Sequence, residues 1–210
     1  GYVKAGGLSL RWLRDEVLRR PGDDDLYREM DVLASAVAPG SDGVLFTPYL
    51  SGGNPDNPHA AGTWLGLTAG TNIATLWRSV LESIAFEYAD FLDVFAANGI
   101  AVDRVLAVGG GARSAVWNQI KADVIGASWR VPTRQDGAIL ANAALAANGV
   151  GAIADLGASV SSWVSGGATC HPDSSRHRVY EQVQRVRRGI LSGPLRETFG
   201  VIAPLRSAQG

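Results

Sequence analysis

The sequence predicts an α/β domain built on a parallel βαβα unit, with helices packed on the sheet. Three observations carry that expectation. An apolar run at 102–108 ends in Gly109-Gly110-Gly111, an amphipathic stretch at 114–125 follows, and a short apolar run at 128–131 leads into an Ala-rich stretch at 137–147. Strand, helix, strand, helix in that order sets the two strands parallel, joined by a right-handed crossover. At 210 residues the chain is long enough for one large domain or two small ones.

Taken in order, residues 5–20 read as an amphipathic helix, with Leu8, Trp12, Leu13 and Val17 at helical spacing and Pro21-Gly22 stopping it. Asp23-Asp24-Asp25 suits the start of a second helix over 26–37, because carboxylates favour the positive end of a helix dipole, and otherwise reads as a solvated surface. Val44-Leu45-Phe46 reads as a short buried strand ended by Pro48, and 51–59 is turn chemistry throughout. The clearest helix carries Leu76, Trp77, Val80, Leu81, Ile84, Tyr88, Phe91, Leu92 and Phe95, with Asn98-Gly99 as its stop. On it Arg78 and Glu82 lie one turn apart, the spacing of an ion pair. The run 102–108 reads as a strand buried on both faces, and the Ala-rich helix as tightly packed because its side chains are small.

Past Gly149 the pattern weakens. Residues 156–164 read as helix and Ser165-Gly166-Gly167 as a linker. Pro172-Asp173 opens a last helix with Tyr180, Val183, Val186 and Ile190 on one face, leaving Arg176, Arg178, Arg185, Arg187 and Arg188 to meet solvent. Residues 193–210 read as a loosely held tail.

Composition excludes several classes. With 46% hydrophobic and 19% charged residues the chain is not intrinsically disordered. Its 19 Lys and Arg against 20 Asp and Glu, net −1, give no electrostatic footprint for nucleic acid or an anionic membrane. No apolar run reaches the ~20 residues of a membrane span, and no signal-peptide pattern opens the chain. Cys170 is the only cysteine, which excludes an intrachain disulfide framework and a multi-Cys zinc site and suits a reducing cytoplasm. The chain opens on Gly1 and its only methionine is Met30, so it is expected to be trimmed or to be part of something longer.

The glycines after the 102–108 run are the most informative feature. Consecutive glycines between strand and helix let backbone approach a ligand closely and leave the first N–H groups of the helix to meet phosphate or nucleotide oxygens. They are also the ordinary means of making a tight turn. A dinucleotide fingerprint fits poorly: Ser114 stands where a third Gly is needed and Thr133-Arg134 where an acidic residue is needed. A P-loop does not fit, since neither Lys4 nor Lys121 follows a glycine. Asp56 and His59 in the long loop, and His171 and His177 near Cys170, read as surface residues, since the histidine spacing matches no tetrahedral zinc pattern. Trp77 and Trp117 read as core.

Gly62-Thr63-Trp64-Leu65-Gly66-Leu67-Thr68, followed by Leu76-Trp77-Arg78-Ser79-Val80-Leu81-Glu82-Ser83, resembles the second signature of the FGGY carbohydrate kinases. Gly109-Gly110-Gly111-Ala112-Arg113-Ser114-Ala115-Val116-Trp117-Asn118-Gln119-Ile120-Lys121-Ala122-Asp123 is similar to that family's ATP-binding turn and helix, in the spacing of its xylulokinase-like members. Pro172 and Tyr180 are similar to its C-terminal helix, so the three motifs together cover most of 42–190. Two departures are visible. Gly52-Gly53-Asn54-Pro55-Asp56 stands where many members carry Gly-Glu-Arg-Thr-Pro, and Ile139-Leu140-Ala141-Asn142-Ala143 where they carry Ala-Leu-Gly-Ala-Ala.

The resemblance implies an actin-like ATPase, ribonuclease-H-like domain in part: residues 1–192 would be the later part of the second, ATP-binding domain, and 193–210 a tail. It implies ATP and Mg²⁺ as cofactors, transfer of the γ-phosphoryl group to a hydroxyl of a sugar or polyol, most like xylulose, and a cytoplasmic location. By the same resemblance Gly109, Gly110, Gly111, Ala112, Ser114 and Asn118 lie at the nucleotide, with Asp136-Gly137 on the same side, while no catalytic base and no metal ligand falls within the chain. The sugar would be bound mainly by a domain this chain lacks, leaving 1–210 inactive alone. The other reading is a non-catalytic nucleotide-binding or interaction module. Neither involves nucleic acid or membrane, and both leave room for a homodimer.

Overall fold

The computed structural model describes residues 3–102, 105–134, 136–164 and 166–207. Helix α1, Gly6–Trp12, runs directly into a π-helical turn, Leu13–Val17, so the expected helix over 5–20 changes pitch midway. That turn places Arg14 to pair with Asp15 and Asp24, each at 2.6 Å. Helix α2, Asp25–Ser35, follows, with Asp23 Oδ1 accepting from the Leu26 amide at 3.2 Å. Strand β1, Leu45–Thr47, pairs antiparallel with β2, Thr63–Leu65, in the register Phe46 to Trp64. Nothing in the alternation of so short a segment had marked β2 as a strand.

The 25-residue helix α3, Ile73–Ala97, is the central strut. Asn72 caps it by accepting from the amides of Ala74 and Thr75 at 2.9 and 3.2 Å. Gly99, at φ +73°, ends it in the left-handed conformation that a side chain disfavours. Its first half is buried against α1, α2 and β1 through Trp77, Val80, Leu81 and Ile84, each 0% exposed. The second half leaves Val94 and Phe95 exposed.

Strand β3, Val105–Leu106, α4, Ala115–Ile125, and β4, Trp129–Val131, form the expected unit, with β3 and β4 parallel in the register Val105 to Trp129. Positions 103 and 104 of the expected strand lie outside the described residues. Burial on both faces does not hold for it, since Leu106 is 52% and Val108 53% exposed. Helix α5, Gly137–Gly149, also departs from tight packing: only Leu140 and Ala144 are buried, while Ile139 and Leu145 lie open. Helix α6, Leu156–Trp163, matches the expected 156–164. The presumed linker, whose Ser165 lies outside the described residues, leads into strand β5, Ala168–Cys170, antiparallel to β4.

Helix α7, Ser174–Ser192, is capped by Asp173, which accepts from the amides of Ser175 and Arg176. The solvent-facing basic surface expected on it is only partly present. Arg187 is buried and paired with Glu87 and Asp90 on α3, Arg188 reaches Asp90 and Asp93, and Arg176 reaches Asp123. Val186, placed by periodicity on the apolar face, is exposed instead. A second correction falls on 194–207: Pro194–Ser207 is helix α8, whose Leu195 and Phe199 pack with Ala60 rather than trailing as a loose tail. Residues 208–210 lie outside the description.

Candidate nucleotide site

The site is built where β3 hands over to α4. Pairing continues one residue past β3, the Ala107 amide donating to the Arg130 carbonyl at 2.8 Å. Gly109 then takes φ +83° and ψ −172°, a conformation that only glycine adopts at ease. Gly110–Arg113 makes one turn of 3₁₀ helix, closed by the Ala112 amide on the Gly109 carbonyl at 3.1 Å. Ser114 caps α4 by accepting from the Trp117 amide at 2.9 Å. That cap leaves the first amides of α4, those of Ala115 and Val116, without an acceptor among the described residues, as are the amides of Gly109, Gly110 and Gly111 in the glycine turn, so turn and helix start both offer donors to a ligand. A run of unpaired amides of this kind attracts negative or carbonyl oxygens.

The six residues expected at a nucleotide are brought together, with different duties. Gly109 and Gly110 are exposed, and a Cβ built at Gly110 meets nothing within 4 Å. Gly111 is packed inward, where a Cβ would come 2.8 Å from the Trp117 ring. Ala112 is buried, and its carbonyl accepts from Asn118 Nδ2 at 2.7 Å. Asn118 is itself buried, and its Oδ1 has no hydrogen-bond partner among the described residues. Gly137, at the start of α5, sits 3.6 Å from Val108 as measured from its ideal Cβ, so the second helix start meets the end of β3 beside the turn. The site thus lies at the carboxyl end of a parallel strand, where open α/β sheets hold their ligands.

Two residues behind the turn were not singled out by sequence. Lys121 is 3% exposed, its Nζ 3.3 Å from the Gly111 carbonyl and 3.9 Å from the centre of the Trp117 ring. Burial pulls its ammonium down to about 8. Asp31 on α2 interacts with the Ser114 hydroxyl and accepts from Trp77 Nε1 at 3.2 Å; burial raises its carboxyl. The helical spacing Ser114, Trp117, Lys121 was the available signal for the lysine. Asp31 carried none, being brought in by packing of a distant helix.

Away from the turn, Trp77 and Trp117 are core, as expected. Glu82 is buried, pairing with Arg78 at 2.8 Å and accepting from Tyr180 Oη at 2.9 Å, the Gly40 amide at 3.1 Å and Ser41 Oγ at 2.8 Å. Burial pushes its carboxyl up against the pull of Arg78. His171 and His177 bond to Ser128 Oγ and to the Asp123 carbonyl, at 3.2 and 2.8 Å. Among the described residues no group of three or more His, Cys, Asp or Glu gathers as a metal site, and no helix is long and apolar enough to cross a membrane. Asp56 borders an open cavity of about 430 Å³ with Arg187, Arg188 and Arg196, on a different face.

The family model for the C-terminal domain of the FGGY family of carbohydrate kinases matches residues 1–150. A xylulose kinase of Staphylococcus epidermidis is 28% identical over 192 residues, 90% of this chain and 38% of that protein. A gluconokinase of Bacillus licheniformis is 36% identical over 150 residues, 67% of this chain and 29% of that protein. The crystal structure of xylulose kinase from Rhodospirillum rubrum superposes with a TM-score of 0.78 at 30% identity, over 92% of this chain and 38% of that one. The chain thus spans well under half the length of the relatives it matches. With the family model matched over residues 1–150, the chain belongs to the FGGY family of carbohydrate kinases, carrying part of its actin-like ATPase fold.

Proposed function

We propose that this chain, over residues 1–192, is the ATP-binding part of a carbohydrate kinase that transfers the γ-phosphoryl group of ATP to a hydroxyl of a sugar or polyol. The observation that carries it is the run of amides at Gly109, Gly110 and Gly111 without an acceptor among the described residues, with open space over Gly110, at the end of a parallel strand. In this reading the backbone of Gly109, Gly110, Gly111 and Ala112 meets adenine and ribose, while Ser114 and Asn118 hold the turn in shape. ATP supplies the phosphoryl group; the chain's own residues bind and orient the nucleotide. Mg²⁺ would ride on the nucleotide phosphates, as that ion commonly does, since no acidic cage gathers among the described residues.

A xylulose-like acceptor is favoured by two relatives at 28% and 30% identity that span nine-tenths of the chain and are named xylulose kinases, although a gluconate kinase structure from Lactobacillus acidophilus spans 95% of it at 22%. The gluconokinase relative, at 36%, spans only 67% of it. The catalytic base and the sugar-reading groups are assigned to no residue of this chain, and a cytoplasmic location goes with the reading. In the complete enzyme, transfer is in line, with backbone amides positioning the phosphates and closure excluding water.

The test is ADP formation by the complete protein over xylulose, gluconate and glycerol, beside calorimetric titration of MgATP into residues 1–210. ATP binding by 1–210 without sugar-dependent turnover, and turnover of xylulose by the complete protein, are expected. Failure of 1–210 to bind ATP overturns the nucleotide assignment. Absence of turnover with every polyol, despite ATP binding, leaves a non-catalytic module instead.

A further inference from the structure

We infer that Lys121 is a positioning residue for nucleotide binding: its ammonium holds the Gly111 carbonyl and keeps the 109–111 turn in the shape that leaves its amides free for the nucleotide. The inference rests on reading that turn as the nucleotide contact.

A buried lysine is unusual, and this one makes no ion pair among the described residues. Its Nζ has instead the Gly111 carbonyl at 3.3 Å, the Trp117 ring at 3.9 Å and the Trp129 ring at 5.2 Å. Two aromatic faces stabilise a cation without neutralising it. An apolar side chain would fill the same space without the desolvation cost, so stability alone does not account for an ammonium here. What the ammonium adds is direction. It fixes the Gly111 peptide, while Asn118 Nδ2 fixes the Ala112 carbonyl at 2.7 Å and Asp31 engages the Ser114 hydroxyl. Two buried polar side chains, Lys121 and Asn118, and the half-buried Asp31 therefore converge on one turn whose glycine amides are unpaired among the described residues.

The charge on Lys121 is lost at moderately alkaline pH, because burial lowers its titration to about 8. The titratable groups acting on it are Asp31 from α2 and Cys170 from β5, both favouring the charged form. Above that pH the neutral amine holds the carbonyl less strongly, and the turn loosens. The effect on stability has the opposite sign: an ammonium titrating lower in the folded state than its usual 10.5 means the unfolded chain binds the extra proton. This group's contribution to stability therefore improves between about pH 8 and 10.5. Falling affinity with rising stability separates positioning from a purely structural role.

The experiment is calorimetric ATP titration of the complete protein and of Lys121→Met and Lys121→Arg, from about pH 7.5 to about pH 9.5. The wild-type Kd is expected to rise about fivefold to tenfold over that range, the scale of one weakened charge-assisted hydrogen bond. Lys121→Met should bind about tenfold more weakly at the lower pH and show a flat profile, with KM for ATP rising and kcat moving less than about twofold. Lys121→Arg, which does not titrate in this range, should bind near the wild-type level with a flat profile. A wild-type Kd in Lys121→Met, or a slope that persists in Lys121→Arg, overturns the inference; if Lys121→Met does not fold, the arginine profile decides alone. A wild-type protein that binds no ATP defeats the nucleotide reading itself, a distinct outcome.

Discussion

Gly111 and Trp117 are in direct opposition: a Cβ placed on Gly111 would lie 2.8 Å from the indole ring, which is 5% exposed and donates from Nε1 to the Leu81 carbonyl at 3.0 Å. The ring is pinned between α3 and the turn and cannot step aside freely. Two adjacent glycines thus have different reasons to be glycine, one facing inward to packing and the other, Gly110, outward to open space.

Gly111→Val is accordingly expected to destabilise the fold, by about 1–3 kcal/mol, the usual cost of overpacking. Thermal unfolding checks this. An unchanged Tm would mean that the turn moves as a rigid unit away from Trp117.

The carboxylate of Glu82 ties α3 to the segment before β1 and to α7. It receives Gly40 and Ser41, and Ser41 and Asp42 hold the left-handed backbone at φ +49° and +52° that side chains seldom adopt. Removing it in Glu82→Ala leaves Arg78 buried without its partner and releases that strained turn, so a loss of about 3–5 kcal/mol is expected by denaturant unfolding. Tyr180→Phe removes two bonds, to Glu82 and Arg78, but keeps the packing, and should cost about 1.5–3 kcal/mol, the range for bonds to charged groups. Equal costs for the two variants would contradict the central place given to the carboxylate.

Acid stability should report on the start of α7. Hydrogen bonds from Ser175 and the Arg176 amide hold Asp173 at about 2, below its ordinary 3.8. A depressed carboxyl contributes stability above its unfolded pKa, and that contribution is lost as pH falls from about 4 through 2. Asp173→Asn keeps a capping oxygen but removes the titration. Its Tm difference from wild type should therefore shrink as pH drops through that window; a difference constant with pH would show the cap to be uncharged in effect.

What could be read from the sequence was what repeats or punctuates locally. The helix of Trp77, Leu81 and Ile84 follows from 3.6-residue spacing, its stop from Asn98-Gly99, and the turn from three glycines between two apolar runs. Strands β2 and β5, three residues each, are too short to show alternation and exist because β1 and β4 pair with them. Arg187 looked like surface because periodicity assigns a face, while the acids that draw it inward, Glu87 and Asp90, sit about a hundred residues earlier. The apolar faces of β3 and α5 read as buried since composition records hydrophobicity and not what covers it. At the candidate site the glycines, Ser114 and Asn118 were legible as a motif. Lys121 lies within the same motif but was given no role, and Asp31 lies in none, because their contribution depends on where Trp117, Trp129 and α2 place them.

Gly110 offers the most direct test, because a Cβ there meets nothing within 4 Å among the described residues. The ATP dissociation constant of Gly110→Val, measured by calorimetry beside its Tm, is predicted to rise at least about tenfold, one 1.4 kcal/mol step, with Tm within about two degrees of wild type. An unchanged dissociation constant in a folded Gly110→Val protein would contradict the assignment of this turn to the nucleotide.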